Sequence, residues 1–106
     1  MAKYLVQGSY SAEGIKGVLK EGGTARREAV STALKALGGK IESIYYAFGE
    51  TDVFVIIDAP DNVTVAALAM GIAATGSVAL KTTVLLTVEE IDQASKKTLS
   101  YRPPGH

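Results

Sequence analysis

Residues 21–27 read EGGTARR, and of all segments in the chain this one has the most direct chemistry. Two glycines running into a helix N-terminus form an anion nest, because free backbone N–H groups and the helix dipole both favour negative charge there. Arg26 and Arg27 put positive charge where that dipole disfavours it. Either a bound small anion or a carboxylate of the chain itself, Glu21 or Glu28, relieves the conflict. The segment lacks the Lys-Ser/Thr of a Walker loop and the spaced glycines of a dinucleotide fold, so a nucleotide is not its ligand. Tyr10, Tyr46 and Lys81 complete the candidate ligand-binding set with Arg26 and Arg27. Tyr45 and Tyr46 are neighbours on a strand and point to opposite faces, so at most one of them joins a given cavity. Lys81 interrupts a mostly apolar strand. Burial there would depress its pKa toward a catalytic range, whereas on an edge strand it would block further pairing.

The catalytic templates find little to build on. His106 is the only histidine and follows Pro103-Pro104, which gives a Ser-His-Asp triad, a haem ligand or a histidine metal cluster no foundation. No cysteine supplies a nucleophile, and no metal or cofactor is expected. Asp58 and Asp61 flank Ala59-Pro60 and read either as a carboxylate pair or, with Asn62, as a helix cap. In FGETDVFVIID (48–58), Gly49 can take φ > 0 in a hairpin turn. Asp52 is then a carboxylate at a pocket rim or an acceptor for nearby backbone N–H groups; the second role needs no partner and is the one expected.

Such residues need a frame, and bulk properties limit it. At 106 residues the chain is a single domain, 1–106, large enough for a hydrophobic core without staples. Eleven basic and eleven acidic residues cancel, and the pI is about 6.6, so the footprint of a nucleic-acid or anionic-membrane binder is missing. The absence of cysteine fits a reducing cytosol, and MAKYLVQGSY has no apolar signal region; a cytoplasmic location is expected. Residues 62–80 carry no charge and approach the length of a membrane span, but small residues and the Thr75-Gly76-Ser77 break read as a short buried helix running into a strand.

Residues 3–10 form a first strand. Ser11 caps a short helix weakened by Gly14 and Gly17 and stopped by Gly22-Gly23. Thr24 caps a second helix whose Ala29, Val30, Ala33, Leu34 and Leu37 make one apolar stripe. Strands at 40–48 and 52–58, a helix from Pro60-Asp61-Asn62, a strand at 77–87 and a helix VEEIDQASKK capped by Thr87 complete the order. The tail, 96–106, cannot be helical through Pro103-Pro104. The order β-α-β-β-α-β is an α+β, ferredoxin-like four-stranded antiparallel sheet with its main helices on one face. Phe54 and Ile56 alternate with Val53, Val55 and Ile57, so the second sheet face is expected to be apolar as well. A second copy covering that face would make a homodimer.

The series YLVQGSYSAEGIKG, EGGTARREAV, ALGGKIE, YYAFGETDVFVI, APDN and LKTTVLLT resembles the GYD domain family across residues 3 to about 95. The resemblance implies a dimeric α/β barrel. The family takes its name from a Gly-Tyr-Asp element at the hairpin; here Gly49 and Asp52 flank Glu50-Thr51, so Thr51 stands where the aromatic would fall. No activity is assigned to the family, so the resemblance carries no reaction. Three functional readings stay open: a small-ligand-binding protein whose cavity, by analogy with other dimeric α/β barrels, lies between sheet and helices; a cofactor-independent oxygenase or isomerase; and an assembly component whose SYRPPG tail extends over a neighbour.

Overall fold

The computed structural model describes all 106 residues. Its elements run β1 (Ala2–Tyr10), α1 (Ala12–Glu21), α2 (Gly23–Ala36), β2 (Lys40–Tyr46), β3 (Val53–Ala59), α3 (Asn62–Ala73), β4 (Val78–Leu85) and α4 (Val88–Ser95). The strands form one antiparallel sheet in the order β2-β3-β1-β4, the ferredoxin-like arrangement.

Helix starts follow local chemistry at three of four positions. Ser11 Oγ accepts from the Gly14 N–H at 3.1 Å, and Asp61 Oδ1 from the Thr64 N–H at 2.8 Å. Thr87 and Glu90 exchange side-chain and backbone bonds in a capping box. Thr24 does not cap α2. That helix starts at Gly23 behind Gly22, which has φ 85° and no side chain to offer. The same Gly22 ends α1, donating its N–H to the Val18 carbonyl at 2.7 Å. One left-handed glycine therefore both stops α1 and starts α2, and Thr24 falls inside the first turn.

The core lies between the sheet and the helices. Tyr4, Val6, Val53, Val55 and Ile57 supply the sheet side, while Leu34 of α2 and Val65 and Leu68 of α3 close it. The Tyr4 hydroxyl donates to Asn62 Oδ1 at 2.6 Å, which satisfies the one polar atom that this buried ring carries. α3 is less buried than its uncharged sequence suggests. Val65 and Leu68 face the sheet, but Val63 and Met70 are exposed because nothing covers the helix from outside. No helix is long and apolar enough to cross a membrane.

The outer sheet face is mixed rather than uniformly apolar. Leu5, Phe54, Ile56 and Leu85 are half-buried there, among Gln7, Ser43, Lys81 and Thr83. At one end Lys3 Nζ reaches Asp58 at 2.9 Å and Glu42 at 3.2 Å. These bonds, Asp58 first, raise the Lys3 pKa above its usual value. Asp58 is thus committed to Lys3 and Asp61 to its cap, and the two do not form a carboxylate pair. Beyond β4, α4 has no buried residue. The Cα radius of gyration is 17.0 Å, against about 13 Å for a compact chain of this length, so α4 and the tail stand off the body as an arm.

Candidate functional site

A cavity of about 130 Å³ lies between the sheet and the helices. It exists because α2 packs on β2 while α3 packs on β4 and β3, with no comparable packing of α2 against α3. The residues under that gap are small: Gly8 on β1, Ala29 and Ala33 on α2, Ala69 on α3. At Gly8 a Cβ would come within 2.8 Å of Val53 Cγ1 and 3.0 Å of Val78 Cγ2, so neighbouring side chains lean over the bare backbone. A glycine inside a strand marks such close approaches.

Arg26 is the only charged residue in the lining. It shares one end of the cavity with Tyr10, and Tyr46 stands beside them. Each arrives by a separate route. The Tyr10 backbone N–H donates to Asp52 Oδ2 at 2.8 Å, and the Asp52 N–H donates to the Gly8 carbonyl at 2.8 Å, which fixes the end of β1. Tyr46 reaches the helix side because β2 carries a bulge between Ile41 and Ser43, which reverses the alternation after Ile41. Without it Tyr45 would face inward; instead Tyr45 is exposed. The Tyr46 hydroxyl donates to the Gly23 carbonyl at 3.3 Å. A Cβ at Gly23 would stand 3.3 Å from Tyr46 Cε2, so the bare glycine lets the ring approach the start of α2.

Burial is the main cause that lifts the Tyr10 pKa above the ordinary phenol value; proximity to Tyr46 adds to it and Arg26 opposes it. Tyr10 is therefore a neutral hydroxyl at physiological pH. Arg26 Nη1 lies 3.5 Å from Glu21 Oε2, a loose and partly exposed ion pair of the kind that contributes little.

The five sequence candidates divide. Tyr10, Arg26 and Tyr46 come together. Arg27 does not: it stands 3.7 Å from Glu28 and faces a groove between α2 and β2 with Glu42 and Tyr45. Consecutive helical residues diverge, so Arg26 and Arg27 do not clamp one anion at the glycine pair. Lys81 is exposed on edge strand β4, in register with Gln7 on the face away from the helices.

The hairpin expectations need correction in two respects. Gly49 is not among the glycines with positive φ, because the six-residue loop 47–52 is wide enough to turn without a left-handed residue. The loop is tied by the Ala47 N–H to the Asp52 carbonyl at 2.7 Å and by Ser9 Oγ to the Glu50 carbonyl at 2.6 Å. The Asp52 side chain serves β1 rather than the loop itself.

The chain thus builds a ferredoxin-like α+β domain with an apolar sheet–helix cavity whose polar end is Arg26 and Tyr10, with Tyr46 beside them. The GYD domain family model matches residues 4–95, and the chain belongs to that family. No curated protein matches its sequence.

Proposed function

We propose that the protein binds a small ligand in the sheet–helix cavity and works as a homodimer. The observation that carries the reading is the cavity itself, an unfilled apolar space of about 130 Å³ in a domain of this size, with polar groups gathered at one end. A cofactor-independent oxygenase or isomerase would need a base there. The lining holds no carboxylate, histidine or lysine, and Tyr10 has its pKa raised rather than lowered, which favours holding a ligand over transforming it. The balanced net charge supports neither a nucleic acid nor a membrane as partner, and the lack of cysteine supports a cytoplasmic setting.

Cavity filling tests the binding reading. Toluene should raise the melting temperature of the protein, and Ala69→Leu, which puts a larger side chain into the space, should remove that shift while the fold persists. A melting temperature indifferent to toluene in both proteins would count against a ligand site.

A specific observation also supports the assembly reading. Val88 (74% exposed) and Leu99 (81%) sit on an arm that touches little of its own protomer. Together with the half-buried apolar residues of the outer sheet face, they supply surface that a second copy would cover.

A further inference from the structure

We infer that the cavity takes a small organic monoanion, a carboxylate on an apolar body about the size of a benzene ring, with the carboxylate at Arg26, Tyr10 and Tyr46. The inference rests on the cavity being the ligand site and adds the class of ligand. Size comes first. An apolar cavity of about 150 Å³ accommodates benzene, and this one, at about 130 Å³, is of that order before its open side is counted. Its walls are aliphatic: Val6, Val55, Ile57, Leu68 and Ile72 offer nothing to a polar body.

Charge selects the head group. Arg26 is the sole charged lining residue and no carboxylate lines the space; Glu21, outside the lining and partly exposed, is 3.5 Å from the guanidinium. A cationic ligand would therefore meet repulsion from Arg26 with no carboxylate in the lining to offset it. A neutral one would leave the guanidinium facing apolar groups without a new partner. An anion accepts from Arg26 and from the Tyr10 and Tyr46 hydroxyls. The Tyr10 hydroxyl has Tyr46 and Arg26 as its polar neighbours, and the bond of the Tyr46 hydroxyl to the Gly23 carbonyl, at 3.3 Å, is long enough to exchange. One arginine and two phenols match a single negative charge. A dianion such as phosphate would bring a second charge against aliphatic walls, where desolvation is costly.

Isothermal titration at constant ionic strength with four probes tests this: benzoate, benzamide, toluene and acetate. Benzoate should bind at least about tenfold more tightly than benzamide, the scale of one charge-assisted hydrogen bond. Acetate, which lacks the apolar body, should show no measurable binding. Arg26→Gln should bring benzoate down to the level of benzamide while toluene binding stays, and Tyr10→Phe should weaken benzoate alone. Both substituted side chains are partly exposed, so the fold should survive, and circular dichroism checks it. Toluene binding with benzamide as tight as benzoate, or benzoate unaffected by Arg26→Gln, would overturn the monoanion while leaving the cavity a ligand site. Failure of toluene and benzoate alike would remove both.

Discussion

The Asp52 carboxylate holds the Tyr10 backbone N–H at 2.8 Å, a charge-assisted bond between residues 42 apart in sequence. Asp52→Ala should therefore cost about 1–3 kcal/mol, through the lost bond and the orphaned donor, and Asp52→Asn less, because it keeps an acceptor. Urea denaturation of the two variants checks the order. Tyr10 itself gives a pH signature. Its pKa is raised in the fold, so its stabilising contribution is complete below the ordinary phenol value of about 10 and is lost as pH climbs through the raised value. Lys3, also raised, acts in the same direction at slightly higher pH. The melting temperature should thus fall above about pH 10, and less steeply in Tyr10→Phe, in thermal melts from pH 8 to 11.5. Asp61 works at the other end: the Thr64 N–H depresses its pKa, so its contribution holds above the ordinary value of 3.8 and fades as pH drops through the depressed one. Sequence made Asp52 visible as a hydrogen-bond acceptor but not its partner, because the Tyr10 N–H lies on another strand and only the folded sheet brings the two together.

The caps at Ser11, Asp61 and Thr87 were legible because a cap is chemistry between residues three apart, whereas the start of α2 was not, because its single glycine serves two helices at once. The strand order followed from the alternation of elements. The cavity was expected between sheet and helices only by analogy with the fold; its size and lining were not legible, since a gap between α2 and α3 depends on how far apart two helices settle, and no local pattern encodes that distance. The choice of Tyr46 over Tyr45 was equally hidden, for it hangs on the bulge in β2. Two glycines of α1 show how tertiary packing overrides propensity. A Cβ at Gly14 would overlap the Ser77 carbonyl oxygen, which already accepts from Ser11 N–H at 2.9 Å. At Gly17 a Cβ would meet nothing within 4 Å. Gly17→Ala should stabilise by up to about 1 kcal/mol through helix propensity. Gly14→Ala should instead destabilise by about 1–3 kcal/mol, as overpacking of a tight site does. Opposite signs in one denaturation series would separate the two roles, and equal signs would show that the α1–β4 approach is loose.

The long dimension of the molecule is 57 Å against 33 and 22 Å across, and the arm from Val88 onward makes that difference without burying a residue of α4. A helix of eight residues is marginal alone in water, so a capping box on an unsupported helix is local chemistry awaiting a surface. The proposed second copy supplies one. Sedimentation of the full chain at micromolar concentration should give a dimer, and the chain cut to residues 1–87 should dissociate at least about tenfold more readily, since losing the burial of side chains such as Val88 and Ile91 removes more than the 1.4 kcal/mol that a factor of ten represents. Phe54→Lys, on the outer sheet face, should weaken the dimer on its own while leaving the sheet–helix core untouched. If truncation alone acts, the arm holds the copies together and the sheet face is free. If Phe54→Lys alone acts, the sheets meet and the arm is left over for a further neighbour. A full chain that sediments as a folded monomer would mean that the mixed outer face, with Gln7, Lys81 and Thr83 beside its apolar residues, is solvated as it stands and that the arm has no second copy to cover it.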